Sequence, residues 1–268
     1  MNKKIGFIGL GKMASAIIAG LIKAFPSSKE QLYGYELNEE TAKNAKENFG
    51  LKILNSNEQL AENCDVIFLC TKPFVIKDVL TEIQSSISSE KTIVSIAAGI
   101  SIDTIQSFLG KEIGVIRIMP NTPALVCEGM SGITSNKNTS KEVFDFVFEL
   151  FSTIGKAVKV EEKLMDAVTA LSGSGPAFYY YLINQFAKSA EKEGLKYEDA
   201  LIMSAQTALG AAKMILETKL SPEILIKNVT TPGGTTEVGN NILATSEISQ
   251  IFNEVISKTA QKSKDLGK

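Results

Sequence analysis

The chain has 268 residues, 44% hydrophobic and 22% charged, with a net charge of −2, three cysteines, and neither histidine nor tryptophan. That length suits about two domains with well-filled cores, and the balanced charge leaves no electrostatic footprint for nucleic acid or an anionic membrane. Without an imidazole, proton transfer falls to Lys, Asp, Glu, Tyr, a hydroxyl or water, and no histidine is available to bind a metal.

The first residues, MNKKIGFIGLGKM, place two lysines before an apolar run. The run is short, glycine-broken and followed by no small-residue cleavage site, so no secretory leader is expected. No uncharged stretch approaches the ~20 residues of a spanning helix. Cys64, Cys70 and Cys127 are odd in number and lack metal-ligand spacing, which fits a reducing cytoplasm.

Apolar, β-rich runs then recur at 3–9 (KKIGFIG), 32–36 (LYGYE), 65–70 (DVIFLC), 92–97 (TIVSIA) and 114–119 (GVIRIM). Near-continuous hydrophobicity is the pattern of strands buried on both faces of a parallel sheet. Helical patterns at 13–25 and 73–84 separate them, and 131–135 and 156–160 extend the sheet. Alternating strands and helices predict a doubly wound α/β domain.

From about Glu161 the strand signal disappears. Residues 176–193 and 198–218 read as helices that are apolar around most of their circumference, with Ala200, Ala205, Ala208, Ala211 and Ala212 permitting close backbone approach. So short a domain cannot bury helices on all sides, which predicts burial against another subunit. The expected organisation is a Rossmann-type sheet domain over 1–160, then an all-α substrate-binding and dimerisation domain over 161–268, joined by a helix.

IGFIGLGKMA (5–14) sets Gly9-x-Gly11-x-x-Ala14 between a strand and a helix, as a dinucleotide-binding turn requires. Its glycines let backbone N–H groups approach a pyrophosphate at the helix N-terminus, where the dipole favours negative charge; a ligand-free βα turn shows the same pattern. Glu36 lies 22 positions after Ala14 at the end of the second strand. A carboxylate there bonds the ribose 2′-hydroxyl of NAD and repels a 2′-phosphate. LNEE (37–40) supplies no arginine for such a phosphate; a solvated strand-end glutamate is the plain alternative.

CTKP (70–73) and IAAGI (96–100) follow strands, on the side where open α/β sheets bind ligands. Lys72 is placed to meet an anion or the reacting centre, or else decorates a loop, just as Gly99 is a ligand position or a strand terminator. In RIMPNTPALV (117–126) two prolines flank Asn121 and Thr122. Such a stiff polar loop suits the holding of a nicotinamide ring, and equally a rigid crossover.

Two further loops are glycine-rich. In ALSGSGPAFYYYL (170–182), Ser172, Gly173, Ser174 and Gly175 precede Pro176, a helix start. In VTTPGGTTEVG (229–239), Gly233 and Gly234 free a row of backbone N–H groups. Nests and helix starts hold small anions such as carboxylates. Either loop alone reads as an ordinary cap; together, with Ser174 and Gly175 in one and Gly233 and Gly234 in the other, they point to a substrate pocket.

These stretches, with FLCTKP, SIAAGIS, AAKMILE and above all VTTPGGTTEVG, resemble the pyrroline-5-carboxylate reductase family over nearly the whole chain. The resemblance implies a Rossmann domain followed by a helical dimerisation domain, in homodimers or dimer-based larger rings. It implies reduction of the cyclic imine of pyrroline-5-carboxylate to L-proline, the last step of proline biosynthesis, with NADP(H) or NAD(H). On that basis Ile8, Gly9, Leu10, Gly11, Lys12, Met13, Asn57, Thr71, Lys72, Pro73, Ala97, Ala98 and Gly99 fall on cofactor-contact positions. Asn121 and Thr122 fall near the nicotinamide, and Gly234, Thr235 and Thr236 on the substrate loop. Many bacterial members carry polar or basic residues where this chain has Glu36-Leu37-Asn38, a departure that weighs toward NAD(H).

Thr236 is then the expected hydroxyl partner of the imine nitrogen, with the Gly234 and Thr235 N–H groups on the substrate carboxylate. A protonated imine needs orientation more than a strong general acid, which suits a chain without histidine. The expected protein is a cytoplasmic small-molecule enzyme without a metal. Two rivals fit less well. A β-hydroxyacid dehydrogenase carries a lysine in G-x-G-x-x-x-K, where this chain has Gly173-x-Gly175 followed by Tyr179 and no lysine until Lys188. A dinucleotide-sensing module needs no second anion-gripping loop.

Overall fold

Among the described residues, eight strands form one sheet in the order β3-β2-β1-β4-β5-β6-β7-β8. The structure, a computed structural model, describes residues 3–110 and 112–267, so the outer ends of the two expected domains, residues 1 and 268, lie outside it. In chain order the elements begin β1 (Ile5–Ile8), α1 (Lys12–Ala24), β2 (Leu32–Tyr35), α2 (Glu39–Phe49), β3 (Lys52–Ile53), α3 (Asn57–Asn63), β4 (Val66–Leu69), α4 (Ile76–Ile83), β5 (Thr92–Ser95) and α5 (Ile102–Leu109). They continue β6 (Gly114–Met119), β7 (Gly129–Ser135), α6 (Lys141–Thr153) and β8 (Gly155–Lys159). All neighbouring strands are parallel except β6 and β7, which are antiparallel.

The helices on the two faces follow from alternation within the strands. Val66 and Phe68 of β4 join a core with Ile17, Leu21, Val147 and Phe151, on the face covered by α1 and α6. Ile67 and Leu69, one residue out of phase, join the opposite core with Leu60, Leu80 and Ile105 from α3, α4 and α5. A strand buried on both faces needs an apolar residue at every position, and β1, β4 and β6 have nearly that. Phe7 and Phe68 stack across adjacent strands with ring centroids 4.7 Å apart. Serine and asparagine caps start several helices: Asn38, Ser56, Ser101 and Ser140 each accept from the backbone N–H three residues on, satisfying one of the donors a helix leaves open.

After β8 the chain is helical: α7 (Met165–Val168), a π-turn (Thr169–Gly173), α8 (Gly175–Lys192), α9 (Tyr197–Thr218), α10 (Pro222–Val229), α11 (Thr235–Thr245) and α12 (Ile248–Leu266). The chain divides into two compact units. One comprises the residues up to Ser174 together with those from Ser257 on; the other is Gly175–Ile256. In the first, the end of α12 is seated by Ser263, whose hydroxyl bonds the Asp166 carboxylate at 2.7 Å. In the second, α8 and α9 form a helical hairpin braced by Tyr197 to Asn184 and by Ser204 to the Ile183 carbonyl.

Candidate active site

The order β2-β1-β4 places the topological switch between β1 and β4, so a crevice opens beyond their carboxyl ends. Gly9 follows β1 with φ +88, and a Cβ there would come within 3.0–3.1 Å of Thr71 Cγ2 and the Cys70 carbonyl carbon. The turn therefore demands glycine twice over, by conformation and by space. Its N–H donates to the Tyr35 carbonyl at 2.9 Å. Gly11, the extended residue before α1, has nothing within 4 Å of where a side chain would lie. Ile8 and Leu10 are buried beside it, whereas Lys12 is exposed and Met13 half-buried.

Glu36, just past β2, folds its carboxylate back onto this turn. Oε2 accepts the Leu10 N–H at 2.9 Å and Oε1 accepts the Asn38 N–H at 3.1 Å. Of the backbone N–H groups expected to approach a pyrophosphate at this turn, that of Leu10 is therefore already engaged. A cavity of about 120 Å³ opens here, lined in part by Gly9, Glu36, Asn57, Thr71, Asp78 and Glu82. It has room for one moiety of a dinucleotide rather than the whole. Asn57 donates its Nδ2 to Glu82 Oε2 at 2.6 Å, while its Oδ1 and the Thr71 hydroxyl are buried without a partner. Buried polar atoms rarely stay unsatisfied. Two orphaned polar atoms beside an open glycine turn fit a dinucleotide whose sugar hydroxyls complete them.

Asp78 and Glu82 escaped the sequence reading, since only the packing of α4 beside α3 brings them to Asn57. Lys72 is exposed and Pro73 half-buried; neither lines the cavity. Ala97 is buried and Ala98 half-buried. At Gly99, φ is +76 and an added Cβ would meet Leu266 Cβ and the Ser263 carbonyl oxygen, both at 3.0 Å. The end of α12 thus lies against it, a reason for glycine that is independent of any ligand.

Asn121 is buried and its side chain is engaged at both ends. Oδ1 accepts the Met130 N–H at 2.8 Å and Nδ2 donates to the Ser172 carbonyl at 3.0 Å. It binds the 117–126 loop to β7 and to the π-turn, while Thr122 is exposed. Ser174 is half-buried, its N–H on the Thr169 carbonyl at 2.8 Å, and Gly175 is the first residue of α8.

The second glycine loop lies in the other unit. Gly233 has φ +71 and donates its N–H to Glu237 Oε2 at 2.8 Å. Gly234 is the cap residue of α11, and its N–H is engaged by the Thr231 carbonyl at 2.9 Å. The expected Gly234 amide donor is thus taken within the loop. The open donors of the helix start lie beyond it, in the first turn that begins with Thr235 and Thr236; both residues are exposed. Also in this unit, an apolar groove of about 480 Å³ runs between α8 and α9, lined among others by Tyr179, Phe186, Met203, Ala208 and Ala211. Tyr179, Phe186 and Met203 are 62%, 64% and 55% exposed.

Burial pushes the Cys64 thiol up to about 12 and raises the Cys70 thiol further, keeping both protonated. Among the described residues, no three His, Cys, Asp or Glu side chains are grouped to hold a metal ion, and no helix is long and apolar enough to cross a membrane.

Comparison with known proteins agrees with this arrangement. The family described as pyrroline-5-carboxylate reductase dimerisation matches residues 162–266, and that described as NADP oxidoreductase, coenzyme F420-dependent, matches residues 4–99. The chain is 36% identical to pyrroline-5-carboxylate reductase of Escherichia coli, covering 100% of both chains. Among solved structures, the NADP-bound pyrroline carboxylate reductase of Plasmodium falciparum superposes with a TM-score of 0.87 at 33% identity, over 100% of this chain and 99% of that one. The pyrroline-5-carboxylate reductase of Coxiella burnetii gives 0.93 at 32% over 100% of both. With pyrroline-5-carboxylate reductase of Methanosarcina acetivorans, identity reaches 41% over 100% of this chain and 99% of the relative; the chain belongs to the pyrroline-5-carboxylate reductase family.

Proposed function

We propose that the protein reduces pyrroline-5-carboxylate to L-proline at the expense of NADH or NADPH. The observation that carries this reading is the pairing, in one chain, of a glycine turn flanked by orphaned polar atoms with a second glycine loop that opens an 11-residue helix. The first suits a dinucleotide. The second suits a small carboxylate, because open amides and the helix dipole both favour an anion at that end.

The reduced nicotinamide supplies the hydride that converts the imine carbon to a saturated one, and the ring nitrogen becomes an amine. The chain's own residues bind and orient. The Thr235 N–H, with its neighbours in the first turn of α11, holds the substrate carboxylate; Gly233 and Gly234 shape the loop rather than donate to it. The Thr236 hydroxyl meets the imine nitrogen. An imine that binds protonated carries its own proton, so a hydroxyl partner suffices where no histidine exists. Gly9, Gly11, Lys12 and Met13 lie along the cofactor's phosphates, Ile8, Glu36, Asn57 and Thr71 along its adenosine end, and Lys72, Pro73, Ala97 and Ala98 at the neighbouring strand ends. Asn121 acts by holding its loop, and Ser174 and Gly175 by starting the helix that follows.

In this reading residues 1–160 serve the cofactor, and 161–268 serve the substrate and self-association, in a homodimer or a dimer-based ring working in the cytoplasm. The exposed apolar groove between α8 and α9 supports self-association, since single-chain surfaces seldom expose so large an apolar patch. The deciding experiment mixes the purified protein with NADH or NADPH and pyrroline-5-carboxylate and follows absorbance of the reduced cofactor together with L-proline formed. Cofactor binding without turnover would replace the reductase by a dinucleotide sensor.

A further inference from the structure

We infer that the cavity behind Glu36 selects NADH and rejects NADPH; the inference rests on the reductase reading above. Glu36 is not a free strand-end side chain. One oxygen is held by the Leu10 N–H at 2.9 Å and the other by the Asn38 N–H at 3.1 Å. Turning the carboxylate away to admit a phosphate breaks two charge-assisted hydrogen bonds. Asn38 is fixed as well, because its Oδ1 caps α2 through the Thr41 N–H at 2.8 Å. A position just past β2, where a cation would have to stand to hold a 2′-phosphate, is committed to starting a helix.

The rest of the cavity has the same polarity. Asp78 and Glu82, four residues apart on α4, line it beside Glu36, and among the described residues no lysine or arginine does. Asn57 is more than nine-tenths buried and presents a partnerless Oδ1, its amide nitrogen already given to Glu82. A buried acceptor asks for a donor. The hydroxyls of an unmodified ribose are donors, whereas a 2′-phosphate brings acceptors and negative charge to a place holding three carboxylates. Like charges gathered in one small cavity repel, the more so where protein partly excludes water.

Equilibrium binding without substrate tests this on the full chain, read from the fluorescence of the reduced nicotinamide as protein is added to NADH or NADPH. NADH should bind at least tenfold tighter. Glu36→Gln should narrow that ratio at least fivefold, chiefly by tightening NADPH, and its melting temperature checks folding. Asp78→Asn, which leaves the bonds to Leu10 and Asn38 intact, should narrow it to a lesser degree, and it serves if Glu36→Gln folds poorly. In competition, adenosine 5′-monophosphate should displace NADH at lower concentration than adenosine 2′,5′-bisphosphate. Equal affinities, tighter NADPH, or a ratio unmoved by both variants would overturn the selection. Binding of neither cofactor overturns the selection and the reductase reading together. NADH-selective binding without oxidation when pyrroline-5-carboxylate is added sinks the reductase reading and leaves the selection standing.

Discussion

Asn121 and Ser172, 51 positions apart in sequence, are joined by a 3.0 Å hydrogen bond from the asparagine amide to the serine carbonyl. The same side chain accepts from Met130 on its other side. One buried residue thereby ties the loop after β6 to β7 and to the π-turn. Asn121→Asp keeps the acceptor for Met130 but turns an oxygen toward the Ser172 carbonyl. Losing a buried bond this way costs about 1–3 kcal/mol, so the urea midpoint should fall with little change in slope. A midpoint equal to wild type would show that the bridge is dispensable.

Thr236 offers the sharpest kinetic contrast. Thr236→Ala should lower kcat/KM by about ten- to a thousand-fold, equivalent to about 1.4–4 kcal/mol of transition-state stabilisation. Thr236→Ser keeps the hydroxyl and should stay within about tenfold of wild type. An alanine variant with near-normal turnover removes the hydroxyl from the mechanism. Because Thr236 is exposed near a helix start, neither change should move the melting temperature by more than a few degrees.

Self-association should depend on the groove between α8 and α9. Met203→Glu places a carboxylate among Tyr179, Phe186 and Ala211, where burial against another subunit would leave it unpaired. Size-exclusion chromatography with light scattering should show a shift to smaller species at micromolar concentration. The expectation fails if the variant keeps the wild-type mass.

The thiols predict a pH dependence. Cys64 is held up to about 12 by burial, against about 8.5 in an unfolded chain. The folded state therefore keeps its proton longer. This contribution to stability is complete below the unfolded value and is lost as pH climbs from there toward the folded one. Melting temperature should fall more steeply above about pH 9 in wild type than in Cys64→Ala. At pH 8 a thiol reagent should modify the exposed Cys127 quickly and the buried Cys64 slowly; three fast thiols in the native protein would contradict the packing.

The sheet was legible because its strands are buried on both faces: β1, β4, β5 and β6 all fall inside the runs marked by hydrophobicity alone. α8 and α9 begin and end within one residue of the sequence reading, since Pro176 and the break around Gly194 punctuate them. The two residues of β3 are too few for any periodicity. The reversal of β7 is a property of strand pairing, made by the short helical turn Thr122–Val126, and no local composition announces it. At the site, Glu36 was visible through its distance from the glycine turn. Its two backbone bonds were not, nor was the use of the Gly234 amide by Thr231, because hydrogen-bond partners depend on how a loop closes. For Gly99 the sequence offers only a strand end or a ligand position; the residues packed against it, from Ser263 on, lie more than 160 positions further along.

That last contact has a practical meaning. Residues from Ser257 on complete a unit whose other residues end at Ser174, held there by the Ser263–Asp166 bond and by the fit of Leu266 and Gly267 on Gly99. A nick within 175–256 would leave two polypeptides that still share one unit without a covalent link, the arrangement of complementing fragments. A chain cut short before Ser257 would instead strip the cover from the Ala97–Gly99 turn, so a split reporter tolerates a break in the middle better than a deletion at the end.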